Sequence, residues 1–282
     1  MSEKTAYLKY HKLRTRDDKA TPYRVASIVL NRPKQANAFG GEMLVTIHQL
    51  LGEVQNDKSL RMLLFQGSGE NFSAGADIAW LKDAVVSGSH EENVAEANKL
   101  TEMFETLSNL AVPTMCVVRG AAYGGGVGIV ACCDFTVASE SAKFCLNEAR
   151  IGLLPAVVLP YLNRKTVCGQ LRRHILGGRV FQANDAKDFG LVQVQAQRGE
   201  LEQVVRQEIN QILEASPEAQ ASYKRLQKHL SNHSYQQGPY TAAAIAIARA
   251  SDFGQAGLSA FLEKKPAPWV CKLDESEAIL VD

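Results

Sequence analysis

Over roughly its first two-thirds the sequence alternates between two periods, and that alternation restricts the fold more than any other feature. Short runs rich in β-branched residues read as strands: YRVASIVL (Tyr23–Leu30), RMLLFQG (Arg61–Gly67), TMCVVRG (Thr114–Gly120) and DFTVAS (Asp134–Ser139). Between them lie helical patterns. Gly41–Asp57 sets Met43, Ile47, Leu50, Leu51 and Val54 on one face, and Glu91–Leu110 does the same with Leu100, Met103, Phe104 and Leu107. Strands separated by helices predict an α/β fold with mainly parallel strands. After LVQVQAQ (Leu191–Gln197) the pattern becomes helical: two helices broken near Ser216–Pro217, then two more within Thr241–Lys265. The expected organisation is an α/β core over residues 1–197 and a helical region over 198–282, with no strand after Gln197.

Bulk numbers remove several functions. The 282 residues are 46% hydrophobic and 22% charged with a formal net charge of +1, which favours neither nucleic acid nor an anionic membrane surface. No apolar run approaches the ~20 residues that span a bilayer, and the first twenty residues lack the apolar centre of a signal peptide. A cytoplasmic protein is expected. The six cysteines form no C-x-x-C pair and no zinc-spaced cluster with histidine, so they are expected to be reduced, mostly buried, and not metal ligands. The six histidines form no recognisable catalytic motif.

Two small-residue loops carry the chemistry. YGGGVGIVACCD (Tyr123–Asp134) follows one apolar strand and opens a helical stretch. Its glycines miss the G-x-G-x-x-G spacing, because Ile129 or Ala131 stands where the last glycine is needed. NFSAGAD (Asn71–Asp77) occupies the same kind of junction after RMLLFQG. Each junction offers backbone N–H groups at a helix start, where donors lack intrahelical partners and the dipole favours negative charge. One donor from each loop, aimed at a common point, makes an oxyanion hole of the kind a thioester enolate requires.

The order and wording of LNRPKQANAF, NFSAGADI, VRGAAYGGGVGIVACCDFTVASESAKFCLNEARIGLLP and GGRVFQANDAKDFGLV resemble the enoyl-CoA hydratase/isomerase (crotonase) superfamily over about residues 22–265. The resemblance implies a spiral of ββα turns, a C-terminal helical trimerisation region in a homotrimer or dimer of trimers, and an acyl-CoA thioester as substrate, with no separate cofactor. Matched residue by residue, it puts the two N–H donors on Ala76 and Gly125 and a catalytic carboxylate on Glu148. It places Arg32, Lys34 and Ala36 along the CoA, and Ser73, Ala74, Gly75, Asp77 and Ile78 at its adenine. Tyr123, Gly124 and Gly128 flank the acyl group. Phe261 and Lys264 fall in a segment that a neighbouring subunit often contributes.

One departure from the family pattern matters most. Many hydratases of the family carry two glutamates; the second matches Glu148, but Gly128 stands at the position of the first. A second departure is LLPAVVLPYL (Leu153–Leu162), where a glycine-rich turn is common. Both features are shared with the bacterial methylglutaconyl-CoA hydratase group and its isohexenylglutaconyl-CoA relatives, which Gly120–Leu162 resembles in wording. That likeness implies hydration of a branched 2-enoyl-CoA in leucine or acyclic terpene catabolism. The distal carboxylate of such a substrate calls for a cation, for which Arg150, Arg164 and Lys165 are the candidates. A single carboxylate equally suits a Δ3,Δ2-enoyl-CoA isomerase. A non-catalytic acyl-CoA-binding homologue, or a hydrolase or decarboxylase using the same hole, stays open at this level.

Overall fold

Leu60–Gly67 is buried at every position, as befits a parallel strand covered on both faces, and it forms the middle of the sheet. The computed structural model describes residues 4–77, 80, 89–232 and 237–282. In chain order it contains β1 (Ala6–Thr15), β2 (Ala20–Leu30), α1 (Gly41–Asn56), β3 (Leu60–Gly67), α2 (His90–Ser108), β4 (Thr114–Val118), β5 (Ala121–Tyr123) and α3 (Gly125–Cys132). There follow β6 (Phe135–Ser139), β7 (Lys143–Cys145), α4 (Leu159–Lys165), α5 (Cys168–Gly177), β8 (Phe181–Gln182), α6 (Ala183–Asp188) and β9 (Val194–Ala196). The chain continues through α7 (Leu201–Leu213), α8 (Pro217–Asn232), α9 (Gln237–Ala250), α10 (Asp252–Leu262) and β10 (Cys271–Leu273).

Seven strands pair in the order β10-β1-β2-β3-β4-β6-β9, and β5-β7-β8 make a second, smaller sheet. Successive strands alternate between the sheets: β4 joins the large one and β5 the small one, then β6 the large and β7 the small. A helix follows each such pair, which is how a ββα spiral advances. From β2 through β9 the large sheet is parallel.

Alternation along β3 divides the core. Leu63 and Phe65 face one hydrophobic cluster with α1, α2 and α3; Met62 and Leu64 face another with Leu201, Val205, Ile209 and Leu213 of α7. The four α7 residues recur every four positions, the stripe that a helix lays on a sheet. The helix break at Pro217 and the four C-terminal helices fall where the sequence pattern puts them.

β1 and β10 are among the strands that the sequence pattern does not show. β1 lies in the polar N-terminal stretch, pairing antiparallel with β2 while burying only Ala6, His11 and Leu13. β10 corrects the expectation of no strand after Gln197. It is three residues long, too short to show a period, and it pairs antiparallel with β1 through Leu13 opposite Leu273. The segment after residue 197 therefore divides: α7 and β10 complete the core, whereas α8, α9 and α10 pack on one another. Among the described residues no helix is long and apolar enough to cross a membrane. Cys116, Cys132, Cys133, Cys145 and Cys271 are buried and unpaired by disulfide.

Candidate active site

Two short parallel pairings assemble the site. β5 and β7 run side by side with Tyr123 opposite Cys145, so the segments that follow each strand leave at the same end. One begins with Gly124 and Gly125; the other leads within three residues to Glu148. The loop after β3 joins them through a bridge between Ser73 and Ala122, in which the Ser73 N–H donates to Ala121 O at 2.9 Å and the Tyr123 N–H to Ser73 O at 2.8 Å.

The hydrogen-bond pattern sets where the Ala76 N–H points. Phe39 bridges to Ala76 in parallel: the Phe39 N–H donates to Gly75 O and the Asp77 N–H to Phe39 O, both at 2.7 Å. In a parallel bridge the residue between the two bonded positions turns its own N–H to the opposite side. The Ala74 N–H is on the Phe39 side with these two bonds, donating to Ala36 O at 2.8 Å. The Ala76 N–H thus faces the side on which the Ser73 N–H meets β5. Gly125 opens α3, so its N–H has no intrahelical partner. Neither N–H meets an acceptor among the described residues, and neither residue is fully buried.

Glycine is needed where the loops touch. Gly75 has φ +89°, and a methyl group on it would stand 2.9 Å from Tyr123 O. Gly124 has φ +47°; a methyl there would lie 3.4 Å from Glu148 Oε1 and 3.7 Å from Gly75 Cα. Both loops and the carboxylate therefore surround one small volume. Glu148 begins a 3-10 turn (Glu148–Ile151), and its Oε2 is buried without a hydrogen-bond partner. Burial pushes the Glu148 carboxyl above the ordinary carboxylate range, opposed only by a hydrogen bond from its own backbone. A carboxylate so placed is suited to proton transfer near neutral pH.

Gly128 is filled from outside. A methyl group on it would fall 2.3 Å from Phe104 Cζ and within 2.9 Å of two further ring atoms. Phe104, on α2, is fully buried and meets Tyr161 edge-on at 5.8 Å between centroids. The ring occupies the volume that any side chain at position 128 would take. Sequence periodicity placed Phe104 in the core, and nothing in it showed which residue the ring would cover.

The remaining residues separate into three groups. Ser73 is buried, donating its hydroxyl to Asn37 O at 2.8 Å and accepting from the Gly75 N–H at 3.2 Å. Ala36, in the left-handed region at φ 48°, caps a 3-10 turn (Pro33–Gln35). Lys34 and Ala74 are exposed. Arg32 donates Nη1 to Ala38 O and Nη2 to Asp77 Oδ2. Tyr123 is half-buried beside the glycines, and Ile78 lies outside the described residues. Phe261, at the end of α10, is 80% exposed, and Lys264 follows it at φ 55°.

Of the cations considered for a distal carboxylate, Lys165 is committed elsewhere. Its Nζ donates to Val130 O, Cys133 O and Thr136 Oγ1, closing the C-terminus of α3, and this corrects its reading as a substrate or surface charge. Arg164 donates to Pro160 O and stacks over Tyr161. Arg150 is exposed, with Nε on Gly177 O. Phe144 is buried and stacks on Phe181. Among the described residues no group of three or more His, Cys, Asp or Glu is placed to hold a metal ion.

Comparison with known proteins identifies the family and the fold. A family model described as enoyl-CoA hydratase/isomerase matches residues 20–272. A crotonyl-CoA hydratase of Syntrophomonas wolfei is 30% identical over 256 residues, spanning 88% of this chain and 95% of the relative. A mitochondrial Delta(3,5)-Delta(2,4)-dienoyl-CoA isomerase of Dictyostelium discoideum is 25% identical over 260 residues, 88% of each chain. The crystal structure of an enoyl-CoA hydratase from Shewanella pealeana superposes with a TM-score of 0.83 at 34% identity, covering 87% of this chain and 92% of that one. With a matching α/β spiral and a family model spanning almost its whole length, the chain belongs to the enoyl-CoA hydratase/isomerase (crotonase) family.

Proposed function

We propose that the chain is a single-carboxylate enoyl-CoA hydratase acting on a branched 2-enoyl-CoA of the methylglutaconyl or longer isohexenylglutaconyl type. The observation that carries the single-carboxylate part is the convergence of Gly75, Gly124 and Glu148, with Phe104 filling the space at Gly128. The thioester oxygen lies between the Ala76 and Gly125 N–H groups. Glu148 takes a proton from water as that water adds to Cβ, the electrons moving onto the thioester oxygen as an enolate. The same carboxyl then delivers the proton to Cα. A donor of this kind contributes about 10²–10³ in kcat. The branched substrate rests on the resemblance in wording, with Arg150 and Arg164 the exposed cations left to meet a distal carboxylate.

One observation favours a second reaction. With glycine rather than a carboxylate at position 128, an isomerase has the simpler requirement, since it needs no oriented water: Glu148 removes a proton from C2 of a 3-enoyl-CoA and returns it to C4. Turnover of crotonyl-, 3-methylcrotonyl-, 3-methylglutaconyl-, isohexenylglutaconyl- and 3-enoyl-CoA, with product analysis, separates the two. Hydration of the glutaconyl esters is expected. Conversion of the 3-enoyl ester alone makes the chain an isomerase, and tight binding of all five without turnover makes it a non-catalytic acyl-CoA binder. A second copy of the chain is the partner best suited to α9 and α10, where Ile247, Phe261 and Leu262 are 71–80% exposed. Light scattering is expected to give a trimer or a hexamer.

A further inference from the structure

Arg32 follows β2, and resemblance places it along the CoA. Its guanidinium is instead used inside the protein. Nη1 donates to Ala38 O at 2.8 Å and Nη2 to Asp77 Oδ2 at 2.9 Å, while its own backbone N–H donates to Asn37 Oδ1 at 2.8 Å. The two guanidinium acceptors are special. Ala38 immediately precedes Phe39 and Asp77 immediately follows Ala76, and the Phe39–Ala76 bridge is what turns the Ala76 N–H towards the thioester oxygen. One side chain therefore grips both strands of the bridge next to the residues that form it.

We infer that Arg32 is a positioning residue, a clasp that holds the Ala76 N–H in its catalytic orientation and neutralises Asp77 beside the forming enolate. The inference rests on the proposed oxyanion role of Ala76. Three further facts support it. The Arg32 and Asp77 side chains are 23% and 20% exposed, so the pair is mostly withdrawn from water, and the guanidinium is fixed by one directed bond to Asp77 and a second to Ala38 O. A lysine ammonium is a point charge and lacks the planar fork that lets one arginine reach both acceptors. Lys34, two residues on, is exposed and meets no protein partner among the described residues, which leaves it as the cation free to meet CoA phosphates.

The clasp and a phosphate-binding role predict different kinetics. The test compares wild type, Arg32→Met, Arg32→Lys and Asp77→Asn on an enoyl-CoA and on the matching enoyl-pantetheine thioester, which lacks the nucleotide and its phosphates. The clasp predicts that Arg32→Met lowers kcat about 10- to 100-fold on both thioesters, with KM changed less than about threefold. Arg32→Lys and Asp77→Asn each fall between wild type and Arg32→Met. A rise in KM confined to the CoA ester, with kcat kept, overturns the clasp and makes Arg32 a phosphate ligand. Unchanged kinetics on both esters also overturns it. Should Arg32→Met fail to fold, Asp77→Asn, which preserves shape, carries the test: kcat falls on both thioesters by less than about 10- to 100-fold with KM kept, and unchanged kcat overturns the clasp. Amide exchange supplies a readout independent of turnover: the Phe39 and Asp77 N–H groups are expected to exchange faster in Arg32→Met. If wild type converts no enoyl thioester, the proposed function fails, and unaltered exchange then refutes the clasp separately.

Discussion

The two loops proposed to present N–H groups to a thioester leave those donors open by different means. Gly125 owes its free donor to being the first residue of α3, so the geometry comes with the helix. Ala76 owes its donor to a strand bridge to Phe39, kept in place by the side chains of Arg32 and Ser73, with Gly75 leaving no room for a side chain beside Tyr123 O. The first half is made of backbone and the second is held by side chains from two segments. Glycines announce the first in sequence. The second depends on residues whose partnership only the fold reveals.

Glu148 serves both halves, and Glu148→Gln is the change expected to cost most: about 10²–10⁴ in kcat, measured at steady state with folding checked by thermal unfolding. Retained turnover removes Glu148 from the chemistry. Deleting the donors one at a time then probes the contrast directly. Gly125→Pro and Ala76→Pro are each expected to lose about 10²–10³ in kcat. They should differ in stability. Proline is accepted at the first position of a helix, although Gly125→Pro must push the Phe39 ring, which a side-chain atom there would meet at 3.0 Å. Ala76→Pro instead restricts Gly75, which sits at φ +89° against Tyr123 O, and should lower the melting temperature further. Equal melting temperatures would erase the distinction between a helix-made and a side-chain-held donor.

A smaller effect sharpens the helix-made half. Phe104→Ala should destabilise by about 3–5 kcal/mol through the cavity it leaves, measured by denaturant unfolding. Gly128→Ala should also destabilise, because its methyl meets the Phe104 ring, and the two changes should offset one another in the double mutant. Simple additivity would show that Phe104 does not exclude side chains at 128. The smallest effect is on pH dependence. Because the folded-state carboxyl of Glu148 titrates above its unfolded value, the native state holds the proton through that window and loses stability as pH rises through it. Glu148→Gln removes that penalty. The variant should melt higher than wild type at pH 7, with the difference vanishing near about pH 4.

Residues with a local signature were legible before the fold was known. The β-branched runs gave β2, β3, β4 and β6, the apolar spacing gave α1 and α2, and Pro217 marked the break between α7 and α8. The two glycine loops pointed to a pair of donors, and their assignment to Ala76 and Gly125, like the choice of Glu148, came from resemblance. What stayed hidden depends on distant neighbours. Nothing around Arg32 announces Asp77, forty-five residues later. Phe104 keeps its helical period whether it covers Gly128 or another residue. Lys165 reads as a surface charge until three acceptors from α3 and β6 surround it. β1 is too polar and β10 too short to carry a pattern.

The pairing of β10 with β1 also sets a timetable. Arg14 beside β10's neighbour Asp274 joins residues 260 positions apart in sequence. A ribosome adding about 5–20 residues per second needs tens of seconds to cover that distance. Throughout that interval the nascent chain can complete β1 and β2 as a hairpin, yet the outer edge of β1 has no strand to cover it at Leu13–Thr15. An open edge is where one chain pairs with another. The three residues Cys271–Leu273 thus cover the Leu13–Thr15 edge only after every other strand of the large sheet has been synthesised.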